Sequence, residues 1–342
     1  MSGDPLTLVA RPTLRQVAML AGVSVATVSR VLNGDAYFSE VSAAKVRTAA
    51  AQLGFRVNVL ARELRSGASS TTVGLLIGDL ANPFWSGIAR GVERELTARG
   101  LRLFTASTDE DPGLEWTLTQ DMLDRRVRAL LVVPSAADHG YLDVERRQGL
   151  PVVFLDRPPS NVLGDTMLLD NAGGGRAAGQ HLLNGGHRRI AMLGDWSRYY
   201  THRERSAGFR DAMERAHAVG WQPYERDNAR DAASAEQQVR ELLALAEPPT
   251  ALFTLNNWIT AGALRALRNL GAERTLPALV GFDDLDLGDL LDVSVIHHDA
   301  EEMGRLAATT ALARIDGDVG PFRTVVVPSR LVVRGSGERP PV

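Results

Sequence analysis

Polar side chains recur just past the carboxyl ends of short apolar runs in this chain. Asp79 and Asn82 follow 73–78, Asp156 and Arg157 follow Val152–Leu155, Asn256 and Asn257 follow Ala251–Leu255, and Asp283 and Asp284 follow Leu279–Phe282. Arg203 and Arg205 come after the run 190–194, and His297 and His298 after 293–296. Carboxylates, amides and guanidiniums can hydrogen-bond in pairs to vicinal hydroxyls. Phe84, Trp85, Trp196 and Trp258 supply faces on which a ring can stack. Such a set suits a sugar or similar polar metabolite. Each residue also has a plainer reading, as a helix cap or a partner across a loop, and this applies most strongly to Asp79 and Arg203.

A second group lies near the amino end. Ser24–Leu32 reads as a short helix whose valines 28 and 31 and Leu32 point inward, which leaves Val25, Ala26, Ser29 and Arg30 on the opposite face. In a major groove, Arg30 can fork onto guanine O6 and N7, while Val25 and Ala26 offer apolar contact to a thymine methyl or simple close approach. Ser24, Thr27 and Asn33 suit phosphate oxygens, with Lys45 and Arg47 adding charge nearby. From spacing alone, DNA binding is favoured, and an ordinary small helical domain with a solvated arginine stays open.

The elements that must position these groups follow from periodicity. Thr13 with Gln16 is a capping-box pattern, and Leu14, Val17, Ala18 and Ala21 fall on one helical face that Gly22 ends. Ser39 can cap a third helix running to Leu53-Gly54. Two short helices across a Gly-containing turn have the dimensions of a helix-turn-helix. Ser66–Thr71 is a flexible linker by composition and marks the domain boundary. Beyond it, Val73–Ile77, Leu101–Ala106, Ala129–Val133, Val152–Leu155, Ile190–Leu193, Ala251–Leu255 and Leu279–Phe282 read as buried strands. Amphipathic stretches such as Gly87–Arg99, Trp116–Arg126, Arg205–Ala218 and Ile259–Leu270 separate them. The alternation predicts doubly wound parallel sheets, and its length predicts two lobes.

Composition narrows the functions further. The 342 residues are 44% hydrophobic and 23% charged, which excludes a disordered chain. Residues 1–72 carry eight Lys/Arg against four Asp/Glu, whereas the remainder carries 30 against 37. A basic head on an acidic body points to a polyanion-binding module joined to something else. No apolar run reaches the roughly 18–20 residues of a membrane span, and no basic start followed by an apolar core opens the chain, so a cytoplasmic protein without a membrane partner is expected. The absence of cysteine removes disulfides, thiolate metal sites and cysteine nucleophiles. The seven histidines form no ligand cluster, no Gly-x-Ser-x-Gly turn occurs, and Gly173–Ala178 is only a weak match to a dinucleotide turn, so neither catalysis nor a cofactor nor a metal is expected.

The wording of several segments is more specific. The segments 13–18, 21–24 and 27–34 (TLRQVA, AGVS and TVSRVLNG) resemble, nearly residue for residue, the headpiece of the lac repressor (LacI/GalR) family of bacterial transcription regulators. Further matches in the family's order are 58–65 (NVLARELR), 79–84 (DLANPF), 155–157 (LDR), 185–191 (GGHRRIA), 281–284 (GFDD) and 331–336 (LVVRGS). The resemblance implies an α/β fold: a helix-turn-helix headpiece over 1–57, a hinge helix and linker over 58–72, and a two-lobed periplasmic-binding-protein-like body over 73–342. The expected lobes are 73–160 with 294–319, and 161–293 with 320–342. It implies that Asn58, Ala61 and Leu64 belong to the hinge helix, with Leu64 wedged between central base pairs of the minor groove and Ala61 beside it. Eight residues are too few for a stable isolated helix, so this segment should fold only when supported. Val57 stands where proline is usual, which leaves the hinge floppier.

The resemblance also places Asn82, Phe84, Trp85, Asp156, Arg157, Arg205, Asn256, Asp283 and His298 where relatives hold their effectors. His298 replaces a common glutamine and Asn257 a common aspartate, so the ligand cannot be copied from a relative. The expected function is a homodimeric repressor that binds a pseudo-palindromic operator under control of a small polar effector, with a sugar as first choice. A sugar-binding protein without a regulatory role is the alternative. The chain stops soon after Ser336 without the apolar heptads of tetrameric relatives, which points to a dimer.

Overall fold

The structure, a computed structural model, describes residues 12–33, 38–55, 70–270 and 275–341. The chain divides into two compact units, Met1–Ser70 and Thr71–Val342.

Among its described residues the first unit holds three helices, α1 (Leu14–Ala21), α2 (Val25–Asn33) and α3 (Glu40–Leu53). The capping box at Thr13 and Gln16 is formed, and Gly22 closes α1 in the left-handed conformation at φ 65°. Ser39 caps α3 and Gly54 ends it the same way. Val17, Val28, Val31, Ala43, Val46 and Ala50 meet in one core. Its alanines and valines let three short helices approach closely, which is how so few residues close a core. Hinge residues Asn58, Ala61 and Leu64, together with Val57, lie outside the described residues.

The second unit contains two six-stranded sheets. The first is built from β1 (Thr72–Ile77), β2 (Arg102–Ser107), β3 (Leu130–Val132), β4 (Val152–Leu155), β5 (Asp165–Leu169) and β11 (Thr324–Val327), in the order β11-β5-β4-β3-β1-β2. The second comprises β6 (Ile190–Leu193), β7 (Glu225–Arg226), β8 (Ala251–Thr254), β9 (Ala278–Phe282), β10 (Ser294–His297) and β12 (Arg330–Val332), in the order β12-β10-β9-β8-β6-β7. All strand pairs are parallel except β10 with β12. The order of the first five strands of each sheet is therefore the same, 2-1-3-4-5, so two copies of one doubly wound topology lie in one chain.

These pairings correct the expected lobe boundaries. The strand 165–169 and the segment 324–327 belong to the first sheet, not the second, and 294–297 belongs to the second, not the first. A buried strand carries the same apolar signature in either sheet, so only the pairing decides its lobe. The chain crosses between lobes three times, after Leu169, His297 and Val327.

Helices α4 (Pro83–Ala98) and α11 (Ala300–Ile315) pack together over the first sheet, and α7 (Asn171–Asn184) packs on α8 (Tyr200–Arg215) beside the second. The α7–α8 contact depends on glycine. A Cβ on Gly175 would stand 2.1 Å from the Arg205 carbonyl, and one on Gly208 would stand 1.9 Å from that of Ala172. The glycine run at 173–175 is thus a helix-packing device, and it seats Arg205. Short α9 (Ala232–Leu243) and α10 (Asn257–Arg268) cover the other face of the second sheet. No helix among the described residues is long and apolar enough to cross a membrane.

Candidate ligand cleft and candidate nucleic-acid interface

A cavity of about 480 Å³ lies between the lobes at the carboxyl ends of the strands. It is lined from the first lobe by Asp79, Asn82, Phe84, Trp85, Asp109, Glu110, Asp156 and Arg157. The second lobe contributes Asp195, Trp196, Tyr199, Thr201, Arg205, Arg230, Asn256, Trp258 and Asp283.

Each lobe presents a buried arginine with a carboxylate from the end of its fourth strand. Asp156 follows β4 and Asp283 follows β9, both with left-handed backbone, at φ 66° and 67°. That conformation turns the chain sharply off the strand and is tolerated by aspartate better than by most residues. Arg157 donates through Nε to Asp156 at 3.2 Å and through Nη2 to Glu110 Oε1 at 2.8 Å, while its Nη1 reaches both Glu110 Oε2 and the Pro134 carbonyl. Glu110 folds back over Gly78, where a Cβ would lie 2.2 Å from its carboxylate. Across the cleft, Arg205 donates to Asn171 Oδ1 at 2.8 Å and to the Leu255 carbonyl at 2.5 Å, stacks over Phe282 and lies 3.5 Å from Asp283. Burial pushes the Asp156 carboxyl above the usual range, although Arg157 and Arg205 pull it down. Burial disfavours the Arg157 charge as well, but Glu110 and Asp156 outweigh this and lock it in place.

Polar and cation-π contacts between described residues join the lobes across the cleft. The carboxamides of Asn82 and Asn257 hydrogen-bond reciprocally, at 2.8 and 3.3 Å, and the Arg157 guanidinium sits 4.7 Å from the Tyr199 ring. Asn82 also caps α4 by accepting from Phe84 N–H, and Asn256 caps α10 while donating to Asp195 at 3.1 Å. Trp85 is tilted against Phe84, with ring centroids 4.7 Å apart.

Most sequence-selected residues meet here: Asp79, Asn82, Phe84, Trp85, Asp156, Arg157, Arg205, Asn256 and Asp283 all line the cavity. Asp79 also has the plainer role, accepting from Ala81 N–H at 2.8 Å. Arg203 is not among the lining residues. It is exposed, donates to the Arg198 carbonyl and borders a separate depression, because two residues along α8 turn its side chain by roughly 200° from that of Arg205. His298 also lies outside the cavity, behind Phe84, with the rings edge to face at 5.1 Å and Nε2 3.5 Å from Asp283. Burial lowers its pKa to about 4 despite the Asp283 charge, so the ring is neutral at pH 7.

Asp109, Glu110, Asp195, Tyr199, Thr201 and Arg230 were not selected from sequence. Asp109-Glu110 and Asp195 follow the runs 101–106 and 190–193, so the strand-end rule applied to every run finds them. Arg230 lies in an irregular segment that carries no periodic signal.

On the headpiece, Ser24, Val25, Ala26 and Arg30 are exposed, with Thr27 and Ser29 half-buried. Ser24 accepts from Thr27 N–H at 3.1 Å and its hydroxyl pairs with that of Thr27 at 2.9 Å, so it caps α2. The side chain of Asn33 lies outside the described residues. Lys45 and Arg47 are exposed on α3.

Comparison with known proteins places both regions. Residues 13–58 match the profile described as "Bacterial regulatory proteins, lacI family", and residues 180–337 match "Periplasmic binding protein-like domain". The chain is 32% identical to the ribose operon repressor of Escherichia coli (strain K12), over 95% of this chain and 99% of that protein. A crystal structure of the lac repressor dimer bound to operator and the anti-inducer ONPF superposes with TM-score 0.79, at 26% identity over 96% of this chain and 99% of the other. The complex of the transcriptional regulator CelR with cellobiose gives TM-score 0.69 at 30% identity, covering 96% of this chain and 100% of that one.

Proposed function

The chain belongs to the lacI family of bacterial regulatory proteins, DNA-binding repressors under ligand control rather than enzymes, and on that premise we propose that a sugar held between its two lobes sets its grip on operator DNA. The observation that carries this is the cleft itself. It offers a buried arginine-carboxylate pair on each side and aromatic walls from Phe84, Trp85, Trp196 and Trp258. Fixed hydrogen-bonding groups at strand ends recognise vicinal hydroxyls, and the aromatic faces take the apolar side of a sugar ring.

Control follows from the three crossings. A ligand touching both lobes binds the closed arrangement more tightly than the open one and shifts the population toward it. A tenfold change in operator affinity needs only about 1.4 kcal/mol of such difference. A change of tilt in the body would reach the hinge segment 58–64, which is too short to hold a helix unaided and needs a partner hinge and the minor groove for support. In a homodimer working in the cytoplasm, two α2 helices would read the half-sites of a pseudo-palindrome, Arg30 providing the base contact and Leu64 the wedge. The relatives named above include a ribose operon repressor and a cellobiose complex, which supports a saccharide as effector class.

The test joins two measurements on the full-length chain. A thermal-shift screen of sugars, nucleosides and polyols finds the ligand through its stabilisation of the folded state. Fluorescence anisotropy on promoter DNA then reads salt-dependent binding with and without that ligand. A ligand that raises the melting temperature but leaves DNA affinity unchanged at every concentration refutes the coupling.

A further inference from the structure

The charge of the cleft narrows the ligand class. Six carboxylates and three guanidiniums line the cavity. One of the three guanidiniums is held on all three nitrogens and a second on two of them. Arg157 uses Nε, Nη1 and Nη2 on Asp156, Glu110 and the Pro134 carbonyl, and its side chain is 9% exposed. Arg205 spends Nε and Nη1 on Asn171 and the Leu255 carbonyl, with Asp283 3.5 Å away. Arg230, the remaining cavity arginine, is exposed and stands 5.8 Å from the Trp196 ring, in solvent where its charge is strongly screened.

Resting on the reading that this cleft holds the effector, we infer that the effector is an uncharged sugar or polyol and that the cleft rejects phosphorylated and carboxylated sugars. The arginine that an anionic group would need on the first-lobe side is already held by Glu110, which the chain supplies from a loop with two left-handed residues, Asp109 and Glu110, at φ 49° and 59°. A phosphate or carboxylate entering the cleft would therefore either stand among unneutralised carboxylates or displace Glu110 from Arg157. Either costs like-charge repulsion in a partly desolvated site. Neutral hydroxyls face no such penalty: they donate to the carboxylates and accept from the remaining N–H groups.

The experiment is titration calorimetry on the full-length protein in phosphate-free buffer, with probes in matched sets. These are ribose and ribose 5-phosphate, glucose with glucose 6-phosphate and glucuronate, and cellobiose and xylitol without charged counterparts. Binding confined to uncharged members, with charged counterparts weaker on the order of 100-fold, is the expected result. A phosphate or carboxylate counterpart that binds as tightly as its parent overturns the inference, as does a panel in which no uncharged member binds. Glu110→Gln should narrow the gap between parent and phosphate by about tenfold, since it releases Arg157. An unchanged gap in a folded Glu110→Gln variant removes Glu110 as the charge gate. Should that variant fail to fold, the wild-type comparison decides alone. The regulatory reading fails separately: an anionic sugar that binds and alters operator affinity sinks only this inference, and a neutral sugar that binds without altering it sinks only the coupling.

Discussion

Replacing Glu115 with glutamine changes one atom type at a point on which the cleft depends. Glu115 lies on α5 (Pro112–Asp124) and is fully buried. Its Oε2 accepts from Ser135 N–H and from Ala136 N–H at 3.1 Å, and its Oε1 accepts from the Tyr141 hydroxyl at 2.8 Å. His139 Nε2 stands 3.3 Å from the same oxygen, and because His139 Nδ1 accepts from Ser160 N–H, a neutral ring carries its proton on Nε2. All four neighbours are donors: Ser135, Ala136 and Tyr141 hydrogen-bond to the carboxylate, and His139 Nε2 lies at ion-pair distance from it. A carboxamide cannot present an acceptor to all four. With its oxygen toward the two backbone N–H groups, its NH₂ faces the Nε2 proton of His139, and with the amide flipped, its NH₂ faces two N–H groups. At least one buried donor loses its partner, and a hydrogen bond to a charged group becomes a neutral one, so Glu115→Gln should cost about 2–4 kcal/mol. In a body of this size that is a fall in melting temperature of roughly 5–15 °C, measured by calorimetry. The loss should carry into function, because the loop that Glu115 holds includes Pro134, whose carbonyl accepts from Arg157. Ligand affinity should fall together with stability. Burial raises the Glu115 carboxyl pKa, but His139, Ser135 and Tyr141 outweigh it and hold it below the usual value. The stabilisation is therefore complete above the unfolded glutamate range and is lost as pH falls through the lowered native value. A Glu115→Gln protein with wild-type melting temperature and an unchanged acid limb would refute the reasoning.

The remaining predictions concern the hinge region, the latch and the headpiece. His298 titrates near 4 in the fold against an ordinary 6.5, so it contributes stability that is present above pH 6.5 and is lost as pH falls toward 4. His298→Gln should flatten the melting-temperature profile over that window by up to about 3 kcal/mol; a profile that keeps the wild-type slope counts against it. Asn257→Ala removes the inter-lobe amide pair and should weaken ligand binding by about 0.5–1.5 kcal/mol. A double-mutant cycle with Asn82→Ala separates that pair from the Asn82 cap, and zero coupling excludes the latch. Arg30→Ala should lose about 1–3 kcal/mol of discrimination at one base position of each half-site, read by competition with substituted operators; undiminished base preference would remove the proposed contact. Leu64→Ala should weaken operator binding with little change in ligand affinity, and equal operator affinity would rule out the wedge.

Local chemistry is what the chain announced through its order of residues. Thr13 and Gln16, Gly22, Ser39 and Gly54 begin and end helices through backbone conformation and capping that need no distant partner, and all five act where expected. Strand ends were readable because a buried run must stop where polar residues begin, and Asp79, Asn82, Asp156, Arg157, Asn256 and Asp283, selected on that ground, line the cavity. Lobe membership was not readable. The strands 165–169 and 294–297 pair with the sheets opposite to those assigned from the sequence, since an apolar run carries no label for its neighbour. The same limit hid the role of Glu110, whose meaning depends on Arg157, 47 residues away. It also hid that Arg203 and His298 lie outside the cavity lining: two residues along α8 turn a side chain by roughly 200°, and the Phe84 ring stands between His298 and the cleft. Sequence alone thus determined which groups stand at the ends of elements, a property of neighbouring residues. Tertiary structure decided which of them face each other, because that depends on how two separately formed sheets close on one another.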